Sequence, residues 1–158
     1  MNTIFEQFVR KWSTDSTSKP GRGPESSESL DRIEKALGVM LPDAYVDFML
    51  SVGEVWTPEI LNCIVDREIE MPDIQNILSF EEAEGSTVGW KDINLPSNMF
   101  VFATDSMGNM FCFDTNSCVA PRSHDLPVYF FDHDFETTMN VADTFVGLLA
   151  KYVELKKQ

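Results

Sequence analysis

The strongest candidate for chemistry in this sequence is the run Asp132-His133-Asp134. Carboxylates beside an imidazole can move protons or bind a divalent metal ion. Adjacent residues of a strand point to opposite faces, so Asp132 and Asp134 would share one side while His133 faces away. A metal ion would then need ligands from elsewhere, and His124 is the only other histidine. We favour a polar strand end with turn-forming aspartates over the alternative, a metal-dependent hydrolase.

Other signatures of catalysis are absent from the sequence. Ser106 lacks the context of a nucleophile elbow, and Gly108 stands outside any glycine-rich phosphate-binding loop. The three cysteines, Cys63, Cys112 and Cys118, form no CxxC pair. Buried free thiols are favoured for them over a disulfide or a zinc site. We predict a protein that is not an enzyme and that has no cofactor and no metal.

Two tryptophans and a set of acidic side chains are the candidates for contact with a partner. Tryptophan is enriched at the centre of binding interfaces, although burial against a sheet is an equal alternative for each one. The acidic residues could form a belt that opposes a basic surface, the alternative being a solvated face. For the aspartate of the turn at residues 105–109, closure of the turn is favoured over contact with a partner. The predicted partner-binding residues are Trp56, Asp66, Glu68, Glu70, Glu81, Glu82, Glu84, Trp90, Asp105, Asp132 and Asp134.

The charge of the chain restricts its partners. Its 158 residues hold 26 acidic and 12 basic side chains, a formal net charge of −14. Such a field repels nucleic acids and anionic membranes and attracts basic proteins, although simple solubility is the alternative. No apolar run approaches the roughly 18 residues that cross a bilayer. We therefore expect a soluble, cytoplasmic protein whose partner is a basic protein, with no nucleic acid bound and no insertion into a membrane.

The central element that must position these residues is a hairpin at residues 99–114. Two aromatic-rich apolar arms flank a polar turn that contains Gly108 and Asn109. Neither arm alternates strictly between apolar and polar residues, which predicts that other parts of the chain cover both faces. The hairpin is therefore expected at the centre of a sheet.

Three amphipathic helices precede the hairpin. The first is predicted at residues 3–12, the second runs from Ser26 or Ser27 to Leu37 and ends at Gly38, and the third begins near Pro42. Residues 13–28 are rich in Ser, Pro and Gly, which is typical of a linker or an exposed loop. We therefore divide the chain into a helix at residues 1–12, interpreted as an appendage, a linker or exposed loop at 13–27 and a main domain at 28–158.

The remaining elements complete an α+β pattern. We predict a strand at residues 59–65, a weaker strand at 74–78 and a strand at 128–131. Ser79 and Glu82 have capping-box spacing, which predicts a short helix at about 80–86. A long helix is predicted at about 139–155. The expected fold is a central antiparallel sheet packed against N-terminal helices and a long C-terminal helix.

Four segments of the sequence resemble the SUKH superfamily. They are LDRIEKALGVMLPDAYVDFM at residues 30–49, FATDSMGNMFCFD at 102–114, PVYFFDHD at 127–134 and VADTFVGLL at 141–149. Their order, spacing and residue types agree with the family over residues 26–155. The most specific part is Leu37-Gly38-Val39 and Leu41-Pro42, followed by an aromatic pair.

The resemblance implies a binding role rather than catalysis. The superfamily includes bacterial toxin-immunity proteins and a yeast cell-wall assembly regulator. For this chain it implies either an immunity protein, which neutralises a cognate toxin such as a basic nuclease, or a scaffold or regulatory module.

Overall fold

The computed structural model describes residues 2–14 and 23–157. Most of the predicted linker, residues 15–22, lies outside the described residues. The described residues form six α-helices: α1 (Thr3–Trp12), α2 (Ser27–Leu37), α3 (Asp43–Ser51), α4 (Glu59–Asp66), α5 (Phe80–Lys91) and α6 (Phe145–Glu154). They also form six strands: β1 (Val55–Trp56), β2 (Asn76–Ile77), β3 (Met99–Thr104), β4 (Met110–Asp114), β5 (Val128–Asp132) and β6 (Thr137–Ala142).

All six strands join in one antiparallel sheet, which confirms the predicted α+β class. The strand order is β1-β2-β3-β4-β5-β6, so every strand pairs with its neighbour in the sequence. The predicted hairpin is β3 and β4, in the middle of the sheet, with Phe100 paired to Phe113. Every residue of these two strands except the last of each is buried. The continuous apolar arms thus predicted correctly that the hairpin is covered on both faces.

An aromatic cluster fixes the helices α3 and α6 against the hairpin. The ring centroid of Tyr45 in α3 lies 5.6 Å from that of Phe102, 5.4 Å from that of Phe113 and 5.7 Å from that of Phe145 in α6. Most of these ring pairs are tilted or edge-to-face, which is the favoured geometry. The cluster is the centre of the hydrophobic core.

The first helix shares that core. Phe5, Phe8 and Trp12 of α1 are all buried. The Trp12 indole Nε1 donates a hydrogen bond to the Tyr152 carbonyl oxygen of α6 at 3.0 Å, and the Phe5 ring lies 5.1 Å from Phe48 of α3. The helix forms where the sequence predicted it, but α1 packs into the domain, whereas the sequence suggested an appendage.

Two predicted elements were wrong. The segment predicted as a strand at residues 59–65 is the helix α4, in which Ile60, Cys63 and Ile64 are buried at helical spacing. The long terminal helix predicted from residue 139 begins at Phe145, because residues 137–142 form the edge strand β6 and Thr144 is the N-cap of α6. Short apolar runs do not distinguish helix from strand, which explains both errors.

The three cysteines are free and buried, as predicted. Burial, with the charges of Asp114 and Glu34, raises the pKa of Cys118 to about 12. In the described part of the chain, no helix has the length and apolar character needed to cross a membrane.

Candidate partner-binding surface

His133 joins three segments that are far apart in the sequence. Its ring Nδ1 lies 2.7 Å from Asn109 Oδ1 in the turn between β3 and β4, and its backbone N–H donates to the same oxygen at 3.2 Å. The His133 carbonyl oxygen accepts a hydrogen bond from Asn94 Nδ2 at 2.8 Å, and the His133 ring lies 5.2 Å from the ring of Trp90 at the end of α5. His133 therefore holds the end of α5 against the turns at the ends of both hairpins.

The side-chain amide of Asn109 has a defined orientation in this network. Asn109 Nδ2 donates to Asp105 Oδ2 at 3.1 Å, which leaves its oxygen facing His133. Because this oxygen accepts hydrogen bonds only, Nδ1 of the imidazole carries the proton. The imidazole is thus held as a structural donor, in contrast to a ring that is free to bind a metal ion through Nδ1.

Three large apolar side chains around this network face solvent. Ile93, Met107 and Phe135 are 69%, 73% and 80% exposed. Each lies within two residues of Asn94, Asn109 or His133, which hold the network together. We define the hairpin-tip surface as Trp90, Ile93, Met107, His133, Asp134 and Phe135. Large exposed apolar side chains on turns that one hydrogen-bond network joins are a candidate protein-binding surface.

Buried aspartates hold the β3–β4 turn that presents Met107. Asp105 is 7% exposed, and its Oδ1 accepts hydrogen bonds from the backbone N–H groups of Met107 and Asn109 at 2.8 and 2.7 Å. Asp73 accepts from the backbone N–H and the hydroxyl of Ser106 at 3.0 and 3.3 Å. Burial, together with the charge of Asp105, raises the pKa of Asp73 above its ordinary value. The geometry of Asp105 fits the turn-closing role that the sequence favoured for it.

The β5–β6 turn is built in the same way. Asp132 Oδ1 accepts hydrogen bonds from the backbone N–H groups of Asp134 and Phe135 at 2.9 and 3.1 Å. The exposed Asp134 carboxylate lies 3.4 Å from His133 Nε2. No group of three His, Cys, Asp or Glu side chains suited to a metal ion occurs within residues 2–14 and 23–157. The two hydrogen bonds that Asp132 accepts give it a role in forming this turn.

The structure separates the other predicted residues from this surface. Half-buried Trp56 lies on β1, the edge strand opposite β6. Exposed Asp66, Glu68 and Glu70 lie at the end of α4 and just after it. Glu81, Glu82 and Glu84 lie in the first half of α5, whereas Trp90 lies near its end. The structure therefore brings Trp90, Asp132 and Asp134 together at the hairpin tips. It places Asp105 there too, buried under the β3–β4 turn, and it places the other predicted residues elsewhere.

Sequence reasoning missed the apolar part of the surface, namely Ile93, Met107 and Phe135. All three lie outside the periodic segments, between polar residues that form turns. A large apolar residue in a turn has no core position to fill, and this was the signal available in the sequence.

A comparison with protein families matches the SMI1 / KNR4 family (SUKH-1) over residues 24–151. The match extends from just before α2 into α6 and does not include α1. A search of curated proteins finds no match.

Proposed function

Since the chain belongs to the SMI1 / KNR4 family (SUKH-1), we propose that it is a non-enzymatic, cytoplasmic protein-binding domain that binds and neutralises a basic toxin. In this role it acts by occlusion: it covers the working surface of its partner, and no chemical step is required of its own residues. The observation that carries the proposal is the hairpin-tip surface.

The surface has the composition of a binding site for a basic protein. Its apolar centre, Ile93, Met107 and Phe135, offers area that a partner can remove from water. Four acidic residues lie close in sequence to this apolar centre: Asp92, Asp132, Asp134 and Glu136. Lys91 is the basic residue next to Asp92. Acidic groups around an apolar centre attract a cationic partner and speed its encounter, while the apolar contacts determine how slowly it leaves.

The rigidity of the surface supports tight binding. The turns that present Met107 and Phe135 are held by the carboxylates of Asp105 and Asp132, and His133 joins the two turns. A surface that is already ordered loses little conformational entropy when a partner binds. This property suits an immunity protein, which must retain one toxin for a long time.

Capture from the native cell lysate tests the proposal. The tagged chain is expected to retain one stoichiometric basic protein that elutes only at high salt, because salt screens attraction between exposed charges. Several neutral partners with little dependence on salt would instead favour a regulatory or scaffold module. Retention of no protein at all would refute tight binding.

A pair of variants tests the surface. Phe135→Ala removes its most exposed apolar side chain, and Val119→Ala is the control, since Val119 is 55% exposed and lies in another loop. Phe135→Ala should weaken binding of the captured protein at least about tenfold, as expected for an anchor residue, and Val119→Ala should leave it unchanged. Equal binding by both variants would exclude the hairpin-tip surface.

A further inference from the structure

The edge strand β6 lacks the features that normally protect the edge of a sheet. Natural edge strands are kept very short, or carry Lys, Pro or inward-pointing charges, because an open edge pairs with other chains. The opposite edge, β1, is two residues long, whereas β6 is six residues long. The sequence of β6, Thr-Thr-Met-Asn-Val-Ala, contains no charge and no proline. Unlike β1, β6 is an open edge.

The open part of β6 is its first four residues. Residues 137–140 are all exposed, and no other strand in the described part of the chain pairs with their outer side. Toward the end of the strand, the register shifts at Val141, and the Val141 carbonyl oxygen accepts a hydrogen bond from Lys151 Nζ at 2.6 Å. An added strand would therefore pair with residues 137–140 and stop before Val141.

An apolar groove of about 870 Å³ lies beside this edge. Its lining includes Phe130 and Met139, which are paired in the sheet, together with Leu148 of α6 and Leu155, the residue that follows α6. Met139 is 55% exposed. A strand added to β6 would place alternate side chains on the groove side of the sheet, because successive side chains point to opposite faces. The edge supplies backbone hydrogen bonds and the groove selects apolar side chains.

We propose that β6 and its groove bind an extended segment of a partner protein that carries alternate apolar side chains and flanking lysines or arginines. The segment would add a seventh strand to the sheet. The proposal deepens the proposed function, on which it rests, by naming the kind of segment that the basic partner contributes.

The charges at the edge argue for a basic segment and against a second copy of this chain. Glu136 and Asp143 lie just before and just after β6. The groove is lined by three acids, Glu70, Asp105 and Glu154, and by one cation, Lys151, whose Nζ donates to the Val141 carbonyl oxygen. A second copy paired antiparallel over residues 137–140 would bring the flanking acids Glu136 and Asp143 of both copies to the same short edge. It would also bring together two chains of net charge −14. Like charges opposed across a strand pair destabilise it, whereas a basic segment would be attracted.

Selection of random nine-residue peptides displayed on phage tests the inference with the wild-type chain as bait. The enriched peptides should alternate apolar residues and carry lysine or arginine near their ends. Binding of the synthesised peptides should shift the backbone amide NMR signals of residues 137–140. No enrichment, or peptides that shift other residues, would overturn the inference.

Three variants provide the comparison. Thr138→Lys protects the edge as natural edges are protected, and Met139→Lys places a cation at the groove. Val119→Lys is the matched control, because Val119 and Met139 are both apolar and both 55% exposed. Each β6 variant should weaken peptide binding at least tenfold, whereas Val119→Lys should stay within twofold of wild type. Unchanged thermal unfolding of each variant would show that the fold is intact, and equal peptide binding by all three would overturn the inference.

Two further measurements separate this inference from the proposed function. Sedimentation equilibrium should show a monomer, and a wild-type dimer that Thr138→Lys dissociates would assign the edge to a second copy instead. If a basic protein is captured but Met139→Lys binds it as wild type does and no peptide is enriched, the edge inference fails and the proposed function stands. If peptides select β6 but no basic protein is captured, the proposed function fails alone.

Discussion

Replacing Tyr45 by Phe should stabilise the protein, although Tyr45 lies at the centre of the core. Its side chain is fully buried among the rings of Phe80, Phe100, Phe102 and other residues. Its hydroxyl has no hydrogen-bond partner among the described residues. Burial, with the charge of Glu25, raises the pKa of this hydroxyl well above its ordinary value, so it stays protonated at any pH used for the measurement.

The size of the effect follows from this environment. A buried hydroxyl without a partner costs about 1–3 kcal/mol, the loss of its hydration. Phe keeps the ring and all its aromatic contacts, so Tyr45→Phe removes the cost without opening a large cavity. We expect the free energy of unfolding to rise by about 1–2 kcal/mol, allowing for a small void where the oxygen was. For a domain of this size, each kcal/mol corresponds to a rise of about 2–4 °C in Tm.

Urea unfolding of two matched variants measures the effect. Tyr152 is the control, because it is equally buried but its hydroxyl donates a hydrogen bond to the Pro72 carbonyl oxygen at 2.6 Å. Tyr152→Phe should therefore lower the free energy of unfolding by about 1 kcal/mol. A comparable loss in both variants would refute the reasoning, because it would mean that the Tyr45 hydroxyl also makes a favourable hydrogen bond.

Three further predictions concern packing, titration and backbone conformation. Trp12→Ala should lower the free energy of unfolding by about 3–5 kcal/mol, since a buried aromatic side chain is lost. If urea unfolding shows a decrease below about 1 kcal/mol, α1 does not share the core. The pKa of Asp73 is raised, so its carboxyl group keeps a proton to higher pH in the native state than in the unfolded chain. The contribution of Asp73 to the free energy of unfolding therefore falls as the pH rises from about 3.9 through the raised pKa. Carbon NMR titration should show this raised midpoint and its decrease in Asp105→Asn, which removes a neighbouring charge, and an unchanged midpoint would exclude that charge as a cause. Gly53→Ala should lower the free energy of unfolding by more than about 1–2 kcal/mol, because φ is +84° and the added Cβ would meet a backbone carbonyl. Gly85→Ala is the control, since Gly85 lies on α5 with open space around it, and it should raise the free energy of unfolding by about 0.5–1 kcal/mol. Thermal unfolding measures both.

Helix ends were predicted from capping residues, because a cap depends on residues that are close together along the chain. The second helix ends where Gly38 takes up a left-handed conformation, and the short helix near residue 80 begins where Ser79 accepts a hydrogen bond from the Glu82 backbone N–H. Caps of this kind are contacts between residues a few positions apart. The predicted helix at residues 80–86 was nevertheless too short, since α5 continues to Lys91.

The candidate site was only partly predictable. Trp90, Asp132 and Asp134 were selected by residue type, and the structure places them together at the hairpin tips. The periodic patterns did not include Ile93, Met107 or Phe135, because these three lie in turns, where the large apolar side chain is itself the signal.

The sequence by itself determined the α+β class, the central hairpin, the helix caps and the acidic charge, since each depends on composition or on residues close along the chain. Tertiary structure decided that residues 59–65 are helical and that residues 137–142 form the edge of the sheet. It also decided that residues near positions 90, 107 and 133 form one surface, through hydrogen bonds and ring contacts at His133. The physical reason is that pairing and burial are long-range: whether an apolar side chain faces the core, a partner or water depends on which distant segments pack beside it.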